Sequence, residues 1–336
     1  MPAIRLPPSW RIPERLATPE REARSRRRFL RQTALGGLGL AMGACSADPE
    51  GSRAAALDGS LTSAAQTAPA VGGAGRQDKD LFPAQRHPGF VLDRDLTDEA
   101  AAAANINYYE FTTDKARVAG MTRGFKLHPW SVHVTGLVHR PRTWAMENLL
   151  RAFPLEERLY RHRCVEAWSM AVPWTGFPMA SFIKVCEPLS AARYVRFISF
   201  MRPKDAPGQA QMAWYPWPYT EMLTLAEAMN ELTLLVVGIY GHPLPAYHGA
   251  PLRLVVPWKY GYKSAKGIVQ IEFTAQRPAT FWNTVSPGEY GFTSNVNPSV
   301  PHPRWSQATE RLLGTGRRVK TLLYNGYAAQ VAHLYS

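Results

Sequence analysis

The stretch RLYRHRCVEAWSM, residues 158–170, sets Cys164 among Arg158, Arg161, His162 and Arg163, with Glu166 and Trp168 just beyond. A cysteine serves as nucleophile or metal ligand only as its thiolate, and neighbouring cations favour that form. Arg161, Arg163 and His162 are the candidates for that role. The opposing reading is a buried cysteine acting as a small hydrophobe, its arginines paired with Glu156, Glu157 and Glu166. On these residues alone a cysteine-nucleophile hydrolase, a single-thiolate metal site and an inert core cysteine all stay open.

A second cluster, HGAPLRLVVPWKYGYKSAKGIV (248–269), spaces His248, Arg253, Lys259, Lys263 and Lys266 around glycine and proline turns. Such donors suit a phosphate or another anion, against the plainer reading of a solvated basic loop. NINYYEF adds Asn105, Asn107, Tyr109 and Glu110. The other two cysteines, Cys45 and Cys186, form no CxxC pair and no Cys/His quartet with zinc spacing. A Cys164–Cys186 bridge is the pairing that geometry must decide.

These residues need a scaffold, and the body that supplies it begins near Leu81. WSVHVTGLV (130–138), ARYVRFISFM (192–201), LTLLVVGIYG (232–241), APLRLVVPW (250–258) and GIVQIEFTA (267–275) read as strands. TWAMENLLRAFP (143–154) reads as a short helix stopped by Pro154, and TEMLTLAEAMN (220–230) as another helix. AAAANINYYEF (101–111) reads as a loop. Strands and short helices mix without regular alternation, which predicts an α+β fold of mixed sheets rather than a doubly wound one.

The bulk composition fits that picture. The chain has 336 residues, 46% of them hydrophobic and 19% charged, with ten tryptophans and 28 prolines. Its net charge of +13 includes nine arginines against three glutamates in residues 1–47. No long Lys/Arg block or nucleic-acid-reading motif accompanies the charge, which argues against a nucleic-acid partner. SRRRFLRQTALGGLGLAMGACSA, from Ser25, instead reads as a twin-arginine export signal built on Arg26 and Arg27. Its apolar run is too short for a permanent membrane span. Residues 1–47 are therefore expected to be the signal, 48–80 an Ala/Gly/Ser-rich flexible linker, and 81–336 the folded domain.

Taken together, YYEF, FPLEERLYRHRCVEAWSM, VPWTGFP, GAPLRLVVPWKYGYK, GEYGFTSNVNP, HPRWSQATER and NGYAAQVA resemble the periplasmic protein-methionine-sulfoxide reductase catalytic subunits, molybdenum enzymes of the sulfite-oxidase fold. The resemblance runs from about residue 83 to the C-terminus. It implies oxygen-atom transfer at one molybdenum–molybdopterin centre per chain, with Cys164 as catalytic residue and metal ligand. A soft thiolate suits that metal. It also implies pterin contacts from Asn107, Tyr109, Glu110, Ser199, His248, Arg253, Ser264, Ala265 and Lys266. Three positions depart from the family pattern: Ile106 stands for a first asparagine, Ser199 for a frequent threonine, and His248 for a frequent asparagine. Ile106 leaves Asn105 or Asn107 to make the first pterin contact.

The same resemblance implies a periplasmic, monomeric catalytic subunit that repairs oxidised envelope proteins. Its electrons would come from a haem-containing inner-membrane subunit linked to quinones. A sulfite-oxidising or small S-/N-oxide-reducing enzyme is the runner-up within the fold, and a thiol hydrolase the alternative outside it.

Overall fold

The computed structural model describes residues 81–336. The expected export signal and linker lie outside the described residues. Two mixed β-sheets carry the chain. In the first, β1 (Ser131–Gly136), β2 (Arg142–Ala145), β5 (Tyr194–Ser199), β6 (Thr220–Thr224) and β10 (Ile268–Thr274) run in the order β2-β1-β10-β5-β6. In the second, β11 (Thr309–Leu312), β12 (Arg318–Lys320), β4 (Trp168–Pro178), β7 (Leu234–Ile239) and β8 (His242–Pro243) run β12-β11-β4-β7-β8. Two further strands join it: β3 (Glu156–Arg163) pairs with β4, and β9 (Arg253–Val255) with β7. Parallel pairs, β1 with β10 and β4 with β11, sit among antiparallel ones.

The helices are short: α1 (Glu99–Ala103), α2 (Val118–Met121), α3 (Met146–Ala152), α4 (Met179–Cys186), α5 (Pro207–Gln211), α6 (Leu225–Met229), α7 (Phe281–Val285) and α8 (Ala328–Val331). This is the α+β architecture of mixed sheets and short helices that the sequence predicts. No helix among the described residues is long and apolar enough to cross a membrane.

Burial explains the strand patterns. β7, LLVVGI, is buried at every position and β4 at all but its last, so both read as continuous apolar runs. β5 alternates buried and half-buried residues, as a strand with one covered face does. Where β4 meets β7, a side chain at Gly176 would land on the Leu235 carbonyl, so only glycine admits that approach.

Two helix expectations are corrected. Residues 220–230 are not one helix: β6 pairs with β5 and only then does α6 begin. The switch falls at Thr224, whose Oγ1 accepts from the Glu227 amide (3.1 Å) while Glu227 Oε2 accepts from the Thr224 amide (2.9 Å). That reciprocal cap starts a helix there and not earlier. Likewise Arg142–Ala145 forms β2 before α3 starts. Cys164 and Cys186 are both free, so the Cys164–Cys186 bridge does not form.

Candidate active site

Cys164 follows β3 directly and opens the turn to β4. Its amide donates to Trp168 O (2.9 Å), and the Ala167 amide donates back to Cys164 O (3.1 Å). Ala167 takes a left-handed backbone (φ 62°) to close the turn. The C-terminal segment clamps this turn from outside. Arg163, fully buried, donates to the Cys164 carbonyl, to Glu310 Oε2 (3.1 Å) and to Gln307 Oε1 (2.8 Å). Trp305 Nε1 (2.8 Å) and Gln307 Nε2 (2.7 Å) both donate to Val165 O. One turn back, Asn325 Nδ2 donates to Arg161 O (3.2 Å) and to Pro257 O (2.8 Å).

The sulfur faces a cleft. Two N–H groups point at Sγ, from Asn107 Nδ2 and the Glu166 backbone, each at 3.4 Å. The Glu166 carboxylate takes hydrogen bonds from Asn107 Nδ2 (3.1 Å) and Trp168 Nε1 (3.2 Å) and a salt bridge from Lys115 (3.1 Å). Burial would raise that carboxyl, but Asn107 and Lys115 overcome it and hold it below the usual range.

The cations around Cys164 do not do what their spacing suggests. Arg161 pairs with Asp93, and Arg163 is spent on Glu310. His162 is kept neutral by burial and by the nearby charges of Arg253 and Lys266. Burial, reinforced by the Glu166 carboxylate, pushes the Cys164 thiol up to about 12; the Glu166 amide, Arg163 and Lys115 only partly oppose it. The protein by itself therefore holds a thiol, and a bound metal must supply the deprotonation. No imidazole hydrogen bonds to Cys164 among the described residues, so the hydrolase reading lacks its base.

The same cleft also carries cations in its lining. Arg253 on β9 is 2% exposed, donates Nη1 to His248 O (2.9 Å) and lies over the Trp174 ring (4.7 Å). No carboxylate lies within ion-pairing distance of it among the described residues. Burial lowers its guanidinium from 12.5 to about 10. His248 is 3% exposed and its Nε2 has no partner; burial, then Arg253 and Lys266, push it down to about 3. Burial and Arg253 also depress the Lys266 amine, whereas Glu110 favours its charge. Burial raises the Glu110 carboxyl and Lys266 counters that. Gly249 (φ 99°) makes the approach of these turns feasible, since a side chain there would strike Lys266.

Of the residues singled out from the sequence, Cys164, Asn107, Tyr109, Glu110, His248, Arg253, Ser264 and Lys266 line one cleft enclosing ≈ 960 Å³ of empty space, its open mouth included. Asn105 lines it as well. Ser199 and Ala265 do not: Ser199 Oγ donates to Lys266 O (2.7 Å) and so braces the Ser264–Ala265–Lys266 turn from behind. Lys259 and Lys263 are neither solvated nor in the cleft, being buried against Glu227 (2.6 Å) and Glu221 (2.5 Å). His162, Glu166, Trp168 and Trp282 also line the cleft and were not singled out as ligands. Glu166 and Trp168 stood in plain view at two and four residues past the cysteine, but nothing in the sequence shows that the turn folds them back onto it.

The donor set fits a metal–pterin. No three His, Cys, Asp or Glu side chains among the described residues gather to hold a metal, so a metal at Cys164 must bring its other ligands with it. An unpaired buried arginine, a half-buried lysine and an orphaned imidazole nitrogen in the same lining suit the phosphate such a cofactor carries. Outward, a second cavity shares Tyr109, Glu166, Trp168, Trp282 and Tyr290 with the first and adds Lys115, Tyr215, Arg304, Trp305 and Arg311. The two make a continuous, aromatic-lined way in from solvent.

The chain is similar to known proteins. Residues 119–282 match the family described as the oxidoreductase molybdopterin binding domain. Over 257 residues the chain is 50% identical to the protein-methionine-sulfoxide reductase catalytic subunit MsrP of Burkholderia mallei (strain ATCC 23344), covering 75% of this chain and 77% of that protein. Among solved structures, the sulfane dehydrogenase SoxCD from Paracoccus pantotrophus aligns with a TM-score of 0.41 at 14% identity, over 70% of this chain and 57% of that one.

Proposed function

The chain belongs to the molybdopterin-binding oxidoreductases, in the family of protein-methionine-sulfoxide reductase catalytic subunits, and from that premise we propose that it reduces methionine sulfoxide in oxidised proteins. The balanced change is a sulfoxide plus two electrons and two protons to a thioether and water, which turns a polar lesion back into an apolar side chain. The observation that carries the reading is one cleft lined by a lone sulfur donor, a buried arginine with no acid partner, Lys266 and an orphaned His248 nitrogen.

When bound, the molybdenum–pterin supplies two-electron oxygen-atom transfer chemistry. The protein's part is placement. Cys164 would ligate the metal through Sγ, with Asn107 and the Glu166 amide donating to that sulfur. Arg253, Lys266 and His248 would take the phosphate. Glu166, held ionised beside Lys115, fixes the Asn107 amide next to the sulfur. The aromatic faces of Tyr109, Trp282 and Tyr290 at the entrance suit a slender thioether-like side chain.

The wider setting follows the export signal. The chain would reach the periplasm folded, by the twin-arginine route, and take electrons from a haem-containing, quinone-linked inner-membrane subunit. The test is metal and pterin analysis of exported protein, then reduction of peptide methionine sulfoxide with an artificial donor. One molybdenum per chain with sulfoxide-dependent turnover is expected. Protein free of molybdenum when made in a molybdenum-replete host, or loaded protein inert toward sulfoxides, would refute the reading.

A further inference from the structure

The β11–β12 hairpin is the edge of the second sheet, and its outward face is cationic. In its register Arg311 lies opposite Arg318 and Thr309 opposite Lys320, while Glu310 and Val319 form the alternate pair. Glu310 is 1% exposed and spent on Arg94 and Arg163, so its face points inward. Alternation then places Arg311, Arg318 and Lys320 together on the outer face. Arg317 immediately precedes β12, and all four cations are exposed.

None of the four has a carboxylate within ion-pairing distance among the described residues; Arg318 finds only the Thr309 hydroxyl, at 3.4 Å. Like charges directly opposite on a ribbon repel. Acids nearer the cleft mouth are already occupied: Glu166 by Lys115 and Glu289 by Arg304. Arg311 itself lines the outer cavity, so the cationic face is continuous with the way into the cleft. Protection of an edge strand against stray pairing needs one charge on β12. It does not account for the Arg311–Arg318 pair, or for a cation turned toward the mouth.

We propose that this ribbon docks an acidic, extended segment of the substrate protein, so that methionine sulfoxides flanked by aspartate or glutamate are preferred. The proposal rests on the sulfoxide-reductase reading and gives that reading a substrate class. Carboxylates of the segment would meet Arg318 and Lys320 along β12 and Arg311 at the mouth, and the sulfoxide side chain would pass between the aromatic walls. The open edge of β12 leaves backbone groups free to pair with such a strand.

The test uses the molybdenum-loaded chain, an artificial electron donor and short synthetic peptides carrying one methionine sulfoxide flanked by Asp/Glu, by Ser or by Lys. Free methionine sulfoxide is the control. We expect kcat/KM to favour the acidic over the basic peptide by roughly tenfold or more at low ionic strength, and the contrast to collapse in high salt. The double variant Arg318→Glu, Lys320→Glu should abolish or invert the preference while turnover of free methionine sulfoxide holds. Equal turnover of acidic and basic peptides by the unaltered protein overturns the proposal, and that comparison needs no variant to fold. If the preference is absent and the double variant instead loses binding to phosphatidylglycerol vesicles, the ribbon is a lipid-facing surface and the proposal fails. Loaded protein inert even toward free methionine sulfoxide would sink the parent reading, and the docking proposal with it.

Discussion

Replacing Arg253 by methionine separates a cofactor cation from a structural one, because the two roles move stability in opposite directions. The guanidinium is 2% exposed, with no acid beside it, and burial lowers it from 12.5 to about 10. At about 1.4 kcal/mol per tenfold, that is a cost on the order of 3 kcal/mol for holding the charge in the empty cleft. Below pH 10 the group is charged in both folded and unfolded chains, so the cost is present in full at neutral pH. It declines only as pH rises past 10. Against it stand the contact with the Trp174 ring, roughly 0.5–2 kcal/mol, and the hydrogen bond to His248 O, about 1 kcal/mol. Methionine fills similar space without charge, so the empty variant should melt within a few degrees of the parent, or above it.

Cofactor loading should respond the other way. Losing a charge-assisted partner for a buried phosphate costs roughly 2–4 kcal/mol, a fall in affinity of about 30- to 700-fold. The assay is molybdenum and pterin per chain in matched preparations, with thermal melts of cofactor-free protein from a pterin-deficient host. Full loading of Arg253→Met would remove Arg253 from the phosphate site. Lost loading together with a comparably lowered melting temperature of the empty protein would make Arg253 a structural residue and refute the reasoning.

Cys164→Ser should leave the melting temperature within a few degrees and abolish sulfoxide reduction, since serine is a harder and weaker ligand; near-normal turnover with molybdenum bound would show that the thiolate is dispensable. In cofactor-free protein at pH 8, a thiol pushed up to about 12 has a thiolate fraction about a thousandfold below that of an ordinary cysteine. Iodoacetamide labelling of Cys164, read by peptide mass mapping, should be correspondingly slow and climb about tenfold per pH unit toward 12; fast labelling at pH 8 would overturn the burial argument. A methyl group at Gly208 would overlap the Tyr109 carbonyl, so Gly208→Ala should cost roughly 1–3 kcal/mol and lower molybdenum content by displacing the Tyr109–Glu110 loop; unchanged melting and loading would contradict that contact. Arg26→Lys with Arg27→Lys should trap precursor in the cytoplasm, and mature protein recovered in the periplasmic fraction would point to another export route.

The sequence was most legible where one local force dominates. β7 and β10 announce themselves as apolar or alternating runs, and burial alone sets both. β3 hid because EERLYRHR looks like a charged surface. Its charges are neutralised by partners far along the chain, Arg161 by Asp93 and Arg163 by Glu310, and no local pattern encodes that. The same long-range pairing misdirected the reading of the cysteine: adjacency in sequence suggested cations that make a thiolate, whereas distant acids engage Arg161 and Arg163 and burial outweighs what Arg163 still contributes. Thr224 shows the converse case, a signal present but outweighed. TxxE marks a helix start, yet the apolar spacing of 220–223 ran into it and blurred strand and helix. The cleft residues became legible only through resemblance, because Asn107, Cys164, Arg253 and Lys266 converge from separate strands and loops.

The clamp on the cysteine turn has a consequence for the order of assembly. Cys164 is made early, yet Gln307 and Glu310, which bond Arg163 and the turn, lie 144 and 147 residues beyond that arginine. A nascent chain that has completed β3 and β4 owns the sulfur and its Asn107 and Glu166 neighbours but not the clamp that fixes the turn. Contacts of such high sequence separation form late, after most of the loop-closure entropy has been overcome. The metal-binding geometry is thus a property of the finished polypeptide. Capture of the cofactor becomes a post-synthetic event, and occupancy reports whether the last strands have docked.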